Sequence, residues 1–317
     1  MKDSYLKEFN YLFFDIEEYK GVKDIIEEAS FVFELIIAKF GEFEKKMIEK
    51  SFSSDNFADA VIISFIRKIM EQLDSINVLF SVGHTVPAQI LLRALIENIV
   101  ELQFILKENT EKRAAAYYLE YHYQDIDKGE SYFNHKNEHI KTILNIKEKD
   151  RFDKEYKNLE KKKQVLKKVI DSKKILKEMS EARERKLNSK RGSRKNKKVY
   201  IKWYELCGKK NFKDLMQEAG YEEFYYSIYG GLSFELHGFN AIMGIDINEN
   251  IFLLKPIRNL EGKSVTFELT YIFSIMLLQK ICEYLGNGEC EIAKFKKFYD
   301  MIEEKHKESI SNLVRIK

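Results

Sequence analysis

The segment TVPAQILLRALIENIVELQFILK, residues 85–107, decides the fold. Thr85 can cap the start of a helix, and Pro87 fits in the first turn, where its missing backbone N–H is not needed. The helix that follows is apolar on most of its sides, which is typical of a helix at the centre of a domain. Its polar exceptions step by four residues and form one narrow stripe: Gln89, Arg93, Glu97 and Glu101.

The segments on either side also favour helices. Only two prolines and 14 glycines interrupt the chain, and residues with high helix propensity dominate it. A stretch with several Gly, Asn, Asp and Pro residues predicts a loop or one short β-hairpin near 242–258. Hydrophobic periodicity predicts the helices in the following ranges: two within 1–50, then 57–80, 85–107, 111–142, 147–182, 211–219, 225–238, 263–285 and 290–314.

Together these elements predict an all-α fold, an elongated helical bundle in which residues 1–317 form a single helical domain. Its centre is expected in residues 57–107, 211–238 and 263–285. Residues 143–198 are expected to form a protruding charged helical hairpin and then a flexible basic loop. That loop, residues 183–198, contains nine Lys or Arg side chains and a single acidic residue.

Composition excludes several classes of protein. With 44% apolar and 33% charged residues the chain is globular, and a net charge of +3 does not by itself predict a nucleic-acid partner. The three cysteines have no metal-ligand spacing and indicate reduced thiols. The polar N-terminus lacks the core of a signal peptide, and no apolar run reaches the ~18 residues that span a bilayer. We therefore expect a cytoplasmic protein that has no membrane partner and needs no cofactor.

The stretch YYSIYGGLSFELHG, residues 225–238, contains the first candidate site. At about 100° per residue, Tyr226, Tyr229, Ser233 and His237 fall on one helical face, within roughly 80°. Phenol, hydroxyl and imidazole groups replace the Leu and Lys of an ordinary amphipathic helix. This face predicts one wall of a site, or a buried polar network that fixes how two helices pack.

Arg93 and Glu97 form the second candidate. They lie four residues apart on the apolar helix, where an exposed pair would contribute only a few tenths of a kcal/mol, as an ordinary surface ion pair. A buried pair would need further polar partners, which the 225–238 face could supply. His237 could then act as general acid–base and Arg93 could stabilise phosphate charge, with Glu97 and Ser233 completing the catalytic set. Tyr226 and Tyr229 would position the substrate.

Two further groups of residues are candidates for binding. Tyr118 and His122 are four residues apart on an aromatic helix and could also position a substrate, although an aromatic helix edge explains them equally. The basic run could bind RNA or DNA phosphates or could be a solvated loop, and its candidate side chains are Arg191, Arg194, Lys195, Lys197 and Lys198. His135 and His139 have the spacing of a metal-binding pair, but no third ligand is identifiable, so no metal site is predicted.

The motifs Leu92-Arg93-x-x-x-Glu97 and Tyr229-x-x-x-Ser233-x-x-x-His237-Gly238 resemble those of a large bacterial family of helical proteins without an assigned function. Such proteins are distantly similar to HEPN helical bundles and abortive-infection proteins, many of which are toxin or antiviral-defence ribonucleases. The HEPN signature places Arg and His on one helix. Here no histidine follows Arg93 on its helix, so a ribonuclease site would be built across two helices.

The leading hypothesis from the sequence is a defence- or toxin-type protein that acts on RNA without a metal. One alternative is a non-catalytic binding or scaffold component of an antiphage system. Another is a sensor of a small ligand such as a nucleotide, with Tyr226 and Tyr229 stacking on the base. RNA is the expected partner in the first case. A protein partner could bind through residues 143–198, and the chain could form a homo-oligomer.

Overall fold

The fold is all-α, as predicted. The computed structural model describes residues 16–53, 56–133, 149–192, 199–234, 245–248, 251–255, 257–258, 260, 262–286 and 289–316. Eleven α-helical elements are found in these residues: α1 Ile16–Ser53, α2 Phe57–Ser81, α3 Thr85–Lys107, α4 Thr110–Phe133, α5 Lys149–Ser172, α6 Lys174–Gly192, α7 Phe212–Ala219, α8 Glu222–Phe224, α9 Gly230–Phe234, α10 Lys263–Leu285 and α11 Glu289–Arg315.

Two short strands add a single hairpin. Strand β1, Ile245–Asn248, pairs antiparallel with β2, Ile251–Leu254, and Asn248 is the register partner of Ile251. The hairpin lies within the range in which the sequence predicts a loop or short hairpin.

The chain divides into two compact units. Unit 1 comprises Met1–Asp55, Ile62–Lys107 and Met216–Lys317, and unit 2 comprises Asn56–Val61 and Glu108–Leu215. The sequence predicts one domain for residues 1–317, and that assignment stays a prediction, because two compact units can still unfold together.

Helices α3 and α10 form the centre of unit 1. Both are mostly buried, and α10 packs against α3, α1 and α11. Phe267 of α10 is fully buried, with its ring centroid 5.4 Å from that of Phe33, 6.3 Å from that of Phe80 and 5.3 Å from that of His306. These partners belong to α1, α2 and α11, so one aromatic side chain contacts three other helices. Helix α3 is mostly buried as well, so the apolar sequence of residues 85–107 does form a core helix.

The start of α10 is fitted closely against α3. Gly262 precedes the helix with a φ of +73°, a conformation that residues with a Cβ rarely adopt. A Cβ at this position would lie 2.5 Å from Nε2 of Gln89. Glycine thus allows the loop backbone to approach the first turn of α3.

Helices α4, α5 and α6 pack together in unit 2. The backbone of Gly129 comes so close to α5 that an added Cβ would lie 2.8 Å from Cδ1 of Leu159. Arg183 of α6 donates to Glu120 of α4 at 2.7 Å, and its guanidinium lies 4.0 Å from the centre of the Tyr123 ring. Helices α5 and α6 are the charged helical hairpin that the sequence predicts.

The prediction of a basic loop over residues 183–198 is wrong for its first ten residues. Helix α6 continues to Gly192, because Lys, Arg and Leu favour helix and because Arg183 and Leu187, four residues apart, both face inward. Residues 193–198 lie outside the described residues. Trp203, which follows the basic run in sequence, is buried, with its ring centroid 5.5 Å from that of Tyr117.

Among the described residues, α10 is long and apolar enough to cross a membrane by length and composition. Most of its apolar window is buried inside the fold, as is typical of the core helix of a soluble protein. It is the helix that the sequence predicts for residues 263–285.

Candidate functional site

A π-helical turn interrupts the helix predicted for residues 225–238. Helix α8 is followed by π-helix over Tyr225–Tyr229 and then by α9. Hydrogen bonds from i to i+5 widen the turn, so residues no longer advance by 100°. Tyr226 is 70% exposed, whereas Tyr229 is half-buried and stacks on Tyr225 with ring centroids 5.5 Å apart. The prediction that Tyr226 and Tyr229 share one face is therefore wrong, and the π turn is the reason.

Tyr229 joins the two charged residues of α3. Nη2 of Arg93 donates to the hydroxyl oxygen of Tyr229 at 3.0 Å, and that hydroxyl donates to Oε1 of Glu97 at 2.6 Å. Nη2 of Arg93 lies 3.4 Å from the same carboxylate oxygen. The guanidinium carbon is also 4.8 Å from the centre of the Tyr229 ring. Arg93, Glu97 and Tyr229 form a closed triangle, which we call the Arg–Tyr–Glu cluster.

The cluster is buried at one end and open at the other. The Arg93 side chain is 21% exposed and the Glu97 side chain 40% exposed. Nε of Arg93 is buried and has no hydrogen-bond partner in the part of the chain that the structure describes. A buried N–H without a partner is costly, and an anionic oxygen is a suitable acceptor for it.

The electrostatics keep Tyr229 protonated. Burial, together with the hydrogen bond that it donates to the Glu97 carboxylate, raises the pKa of Tyr229 to about 12, against the opposing effect of Arg93. At neutral pH the phenol is therefore a hydrogen-bond donor and holds Glu97 in place. The cluster thus presents a fixed carboxylate and a fixed guanidinium, which suits positioning and charge stabilisation.

The structure does not describe the side chains of Ser233 and His237, the other two members of the predicted catalytic set. Ser233 belongs to α9, but its side chain is outside the description, and His237 lies outside the described residues. Helix α9 packs against α3, as the two-helix hypothesis requires. The structure thus brings together Arg93, Glu97 and Tyr229, and the catalytic roles of Ser233 and His237 stay predictions.

Tyr118 and His122 contact one another in unit 2. Their ring centroids are 4.2 Å apart, and Phe57 packs edge-on against Tyr118 at 4.8 Å. Burial raises the pKa of Tyr118 and lowers that of His122, which is also influenced by Asp125 and Lys162. The contacts make this pair an aromatic cluster, and its role in positioning a substrate stays a prediction.

Only one of the predicted nucleic-acid-binding side chains is described. Arg191 is exposed in the last turn of α6. The other four lie outside the described residues: Arg194, Lys195, Lys197 and Lys198. The neighbouring Lys190 pairs with Glu205 at 2.5 Å, so part of the basic run stabilises unit 2.

Two histidines outside the candidate sites, His306 and His84, have specific partners. His306 is buried, stacks on Tyr271 with ring centroids 3.7 Å apart, and contacts Oε2 of Glu268 at 2.8 Å. Nε2 of His84 accepts from Arg258 at 3.1 Å. The sequence around each histidine does not reveal these contacts, because Glu268 and Arg258 are distant from them in the chain.

No three His, Cys, Asp or Glu side chains converge as metal ligands within the described ranges. His135 and His139 are outside these ranges, so the absence of a metal site remains an expectation from the sequence.

A match to a protein-family model identifies the family of this chain. Residues 59–250 match the family of unknown function DUF5677, and because the match spans more than half of the chain, the protein belongs to this family. No curated protein and no solved structure matches it. The resemblance to an uncharacterised helical family is thus confirmed, and the matched residues include the whole Arg–Tyr–Glu cluster.

Removing the Tyr229 hydroxyl tests the cluster. Tyr229→Phe should lower the free energy of unfolding by about 1 kcal/mol near neutral pH, because both hydrogen bonds are lost while the ring stays. The pKa of Tyr229 is raised on folding, so its hydroxyl contributes fully below pH 10 and loses its contribution as the pH rises towards about 12. Urea unfolding of both proteins between pH 7 and 12 measures the difference, which should shrink above pH 10.

Tyr226→Phe is the matched control, since the same change is made on the same segment at a side chain that is 70% exposed. It should change the free energy of unfolding by less than about 0.5 kcal/mol. Equal effects of the two substitutions would show that the bridging hydroxyl does not stabilise the fold.

Proposed function

We propose that the protein is a cytoplasmic, defence- or toxin-type ribonuclease that uses neither metal nor cofactor. The observation that carries the proposal is the bridge from Arg93 through the Tyr229 hydroxyl to a Glu97 side chain that is 40% exposed. A sealed network would favour a purely structural role, whereas a network that reaches solvent leaves room for a substrate. The distant HEPN-like resemblance is part of this proposal.

The roles follow from the chemistry of each group. Arg93, whose side chain is 21% exposed, binds a phosphate oxygen through its guanidinium and stabilises the charge that develops at phosphorus. Tyr229 holds Glu97 and Arg93 in a fixed arrangement. His237 removes the proton from the 2′-hydroxyl, and Ser233 helps to position the substrate.

The reaction is a transesterification. The 2′-oxygen attacks the adjacent phosphorus, the bond from phosphorus to the 5′-oxygen breaks, and that oxygen leaves with a proton from solvent. The products are a 2′,3′-cyclic phosphate and a 5′-hydroxyl end. The exposed Arg191 and the basic residues that follow it would hold the RNA backbone through phosphate contacts.

A cleavage assay tests this proposal. Labelled single-stranded RNA is incubated with the protein in EDTA, next to an RNA with a single 2′-deoxy position at the mapped cleavage site. We expect cleavage with a cyclic-phosphate end, no cleavage at the deoxy position, and a loss of about 10²-fold or more in His237→Ala. Expression should arrest growth in the parent and not in this variant.

Glu97→Gln and Glu101→Gln form a matched pair on one stripe of α3. Only the first should reduce the rate, because Glu97 accepts from Tyr229. Undiminished cleavage or growth arrest in a folded His237→Ala variant would rule out the catalytic role of His237.

A scaffold component is the second candidate. It is favoured by the low exposure of Arg93 and by hydrogen bonds that tie α3 to the π segment. In that case no RNA cleavage occurs, and Arg93→Ala lowers the melting temperature without changing any catalytic rate.

A further inference from the structure

A pocket of about 410 Å³ lies between α10 and α11 in unit 1, outside the residues that match the family. Three side chains of α10 and four of α11 form its walls: Gln279, Cys282, Glu283, Ile292, Phe295, Lys296 and Tyr299. On each helix they recur at the three- and four-residue spacing of one face. The two facing stripes thus enclose a space where two helices would ordinarily interdigitate.

The wall formed by Phe295 is supported from behind. Its ring centroid is 6.1 Å from that of Phe43 and 6.3 Å from that of Phe298. The ammonium of Lys39, a buried residue, lies 5.1 Å from the centre of the Phe43 ring and 5.3 Å from that of Phe298. These aromatic neighbours favour the position of the Phe295 ring in the pocket wall.

The pocket has an apolar interior. Cys282 is 7% exposed, and burial raises the pKa of its thiol, so it is a small apolar lining group rather than a nucleophile. Ile292 is 60% exposed at the rim. The volume of the pocket lies within the roughly 300–1,000 Å³ that is usual for small-molecule sites.

The charges at the rim are not balanced. Glu283 accepts from Lys280 at 2.7 Å and from Gln279 at 3.1 Å, so its charge is already compensated. Lys296 is exposed and has no ion pair or hydrogen bond with any residue that the structure describes. Among the lining residues that the structure describes, a ligand therefore meets the Lys296 ammonium without a carboxylate partner.

From this combination we propose that the pocket binds a small amphipathic anion, with an apolar or aromatic body against Phe295 and Tyr299 and a carboxylate or sulfonate on Lys296. The volume of the pocket excludes a large ligand, and the Lys296 ammonium favours a negative group at the rim. The site is separate from the Arg–Tyr–Glu cluster and does not depend on the proposed ribonuclease activity.

Two fluorescent probes that differ by one group test the proposal. 8-Anilinonaphthalene-1-sulfonate carries the anion, and N-phenyl-1-naphthylamine lacks it. We expect saturable binding of the sulfonate probe by the full chain and its displacement by decanoate. Ile292→Trp should abolish this binding by filling the pocket, whereas Met301→Trp, on the same helix at a position that is 41% exposed and outside the pocket, should not.

Substitutions of two adjacent lysines test whether the Lys296 ammonium binds the anionic group of the ligand. Lys296→Gln should weaken the sulfonate probe about three- to fivefold, as expected for an exposed ion pair, and leave the neutral probe unchanged. Lys297→Gln has the same effect on net charge outside the pocket and should alter neither. Circular dichroism checks that each variant is folded.

Three results would overturn the proposal. The first is binding that does not saturate, and the second is binding that survives Ile292→Trp. The third is a concentration-dependent dimer that Ile292→Trp dissociates, because the occupant would then be a second copy of the chain.

Discussion

Phe267→Ala should lower the free energy of unfolding by about 3–5 kcal/mol, the range for deleting a fully buried aromatic ring. The ring contacts Phe33, Phe80 and His306, which lie on three different helices. Neighbours on separate helices cannot all move inward to fill the space, so a cavity should persist. Urea unfolding followed by circular dichroism measures the loss.

Val265→Ala is the matched control, two residues away on the same helix and 53% exposed. It should change the free energy of unfolding by less than about 0.5 kcal/mol. A loss below about 1.5 kcal/mol for Phe267→Ala would show that the aromatic cluster is not the core of unit 1.

The same experiment tests the single-domain prediction. Trp203 is the only tryptophan and is buried in unit 2, so its fluorescence reports on that unit, whereas Phe267 belongs to unit 1. A parallel shift of the fluorescence transition in Phe267→Ala would mean that the two units unfold cooperatively. A fluorescence transition that stays in place would mean two separately folding domains.

The second large effect is expected at the buried ion pair of unit 2. Glu120→Ala should cost about 3–5 kcal/mol, because the Arg183 guanidinium would lose its carboxylate while its side chain is only 11% exposed. Replacing both residues, as Glu120→Leu with Arg183→Met, should recover most of the loss, because no buried charge remains. Unfolding followed by Trp203 fluorescence measures the free energy of unfolding of the parent and of both variants.

Asp125 and Lys162 provide a matched exposed pair between α4 and α5, at 3.0 Å with side chains 41% and 63% exposed. Asp125→Ala should cost less than about 1 kcal/mol, because water screens the pair. If Glu120→Ala costs no more than Asp125→Ala, burial does not determine the strength of the Arg183 pair.

Periodicity was enough to predict the core. The apolar run of residues 85–107 and that of residues 263–285 both form buried helices with nearly those bounds, because apolar surface must be removed from water whatever its partner. The partners themselves are not encoded locally. Nothing near Phe267 indicates that Phe33 and His306 will contact it, since such contacts depend on how the helices pack.

The candidate site was predicted in part. The spacing of Arg93 and Glu97 on an apolar helix correctly indicates a need for a polar partner. The sequence proposes a whole face for that role, and among the side chains of that face that the structure describes, Tyr229 contacts both charged residues. A shared face for Tyr226 and Tyr229 requires a regular α-helix through residues 225–229, whereas the π-helical turn changes the angular position of each side chain. In residues 183–192 the high charge favours a loop prediction, whereas Leu187 is buried and α6 continues to Gly192.

The π turn also affects how relatives of this chain should be aligned. A turn of this kind accommodates an extra residue within a helix. In a family member with a regular α-helix at this position, the same length of helix would contain one residue fewer. Its counterpart of Tyr229 would then be displaced by one column, and a column-by-column comparison would report the tyrosine as lost although its hydroxyl still joined the arginine and the glutamate.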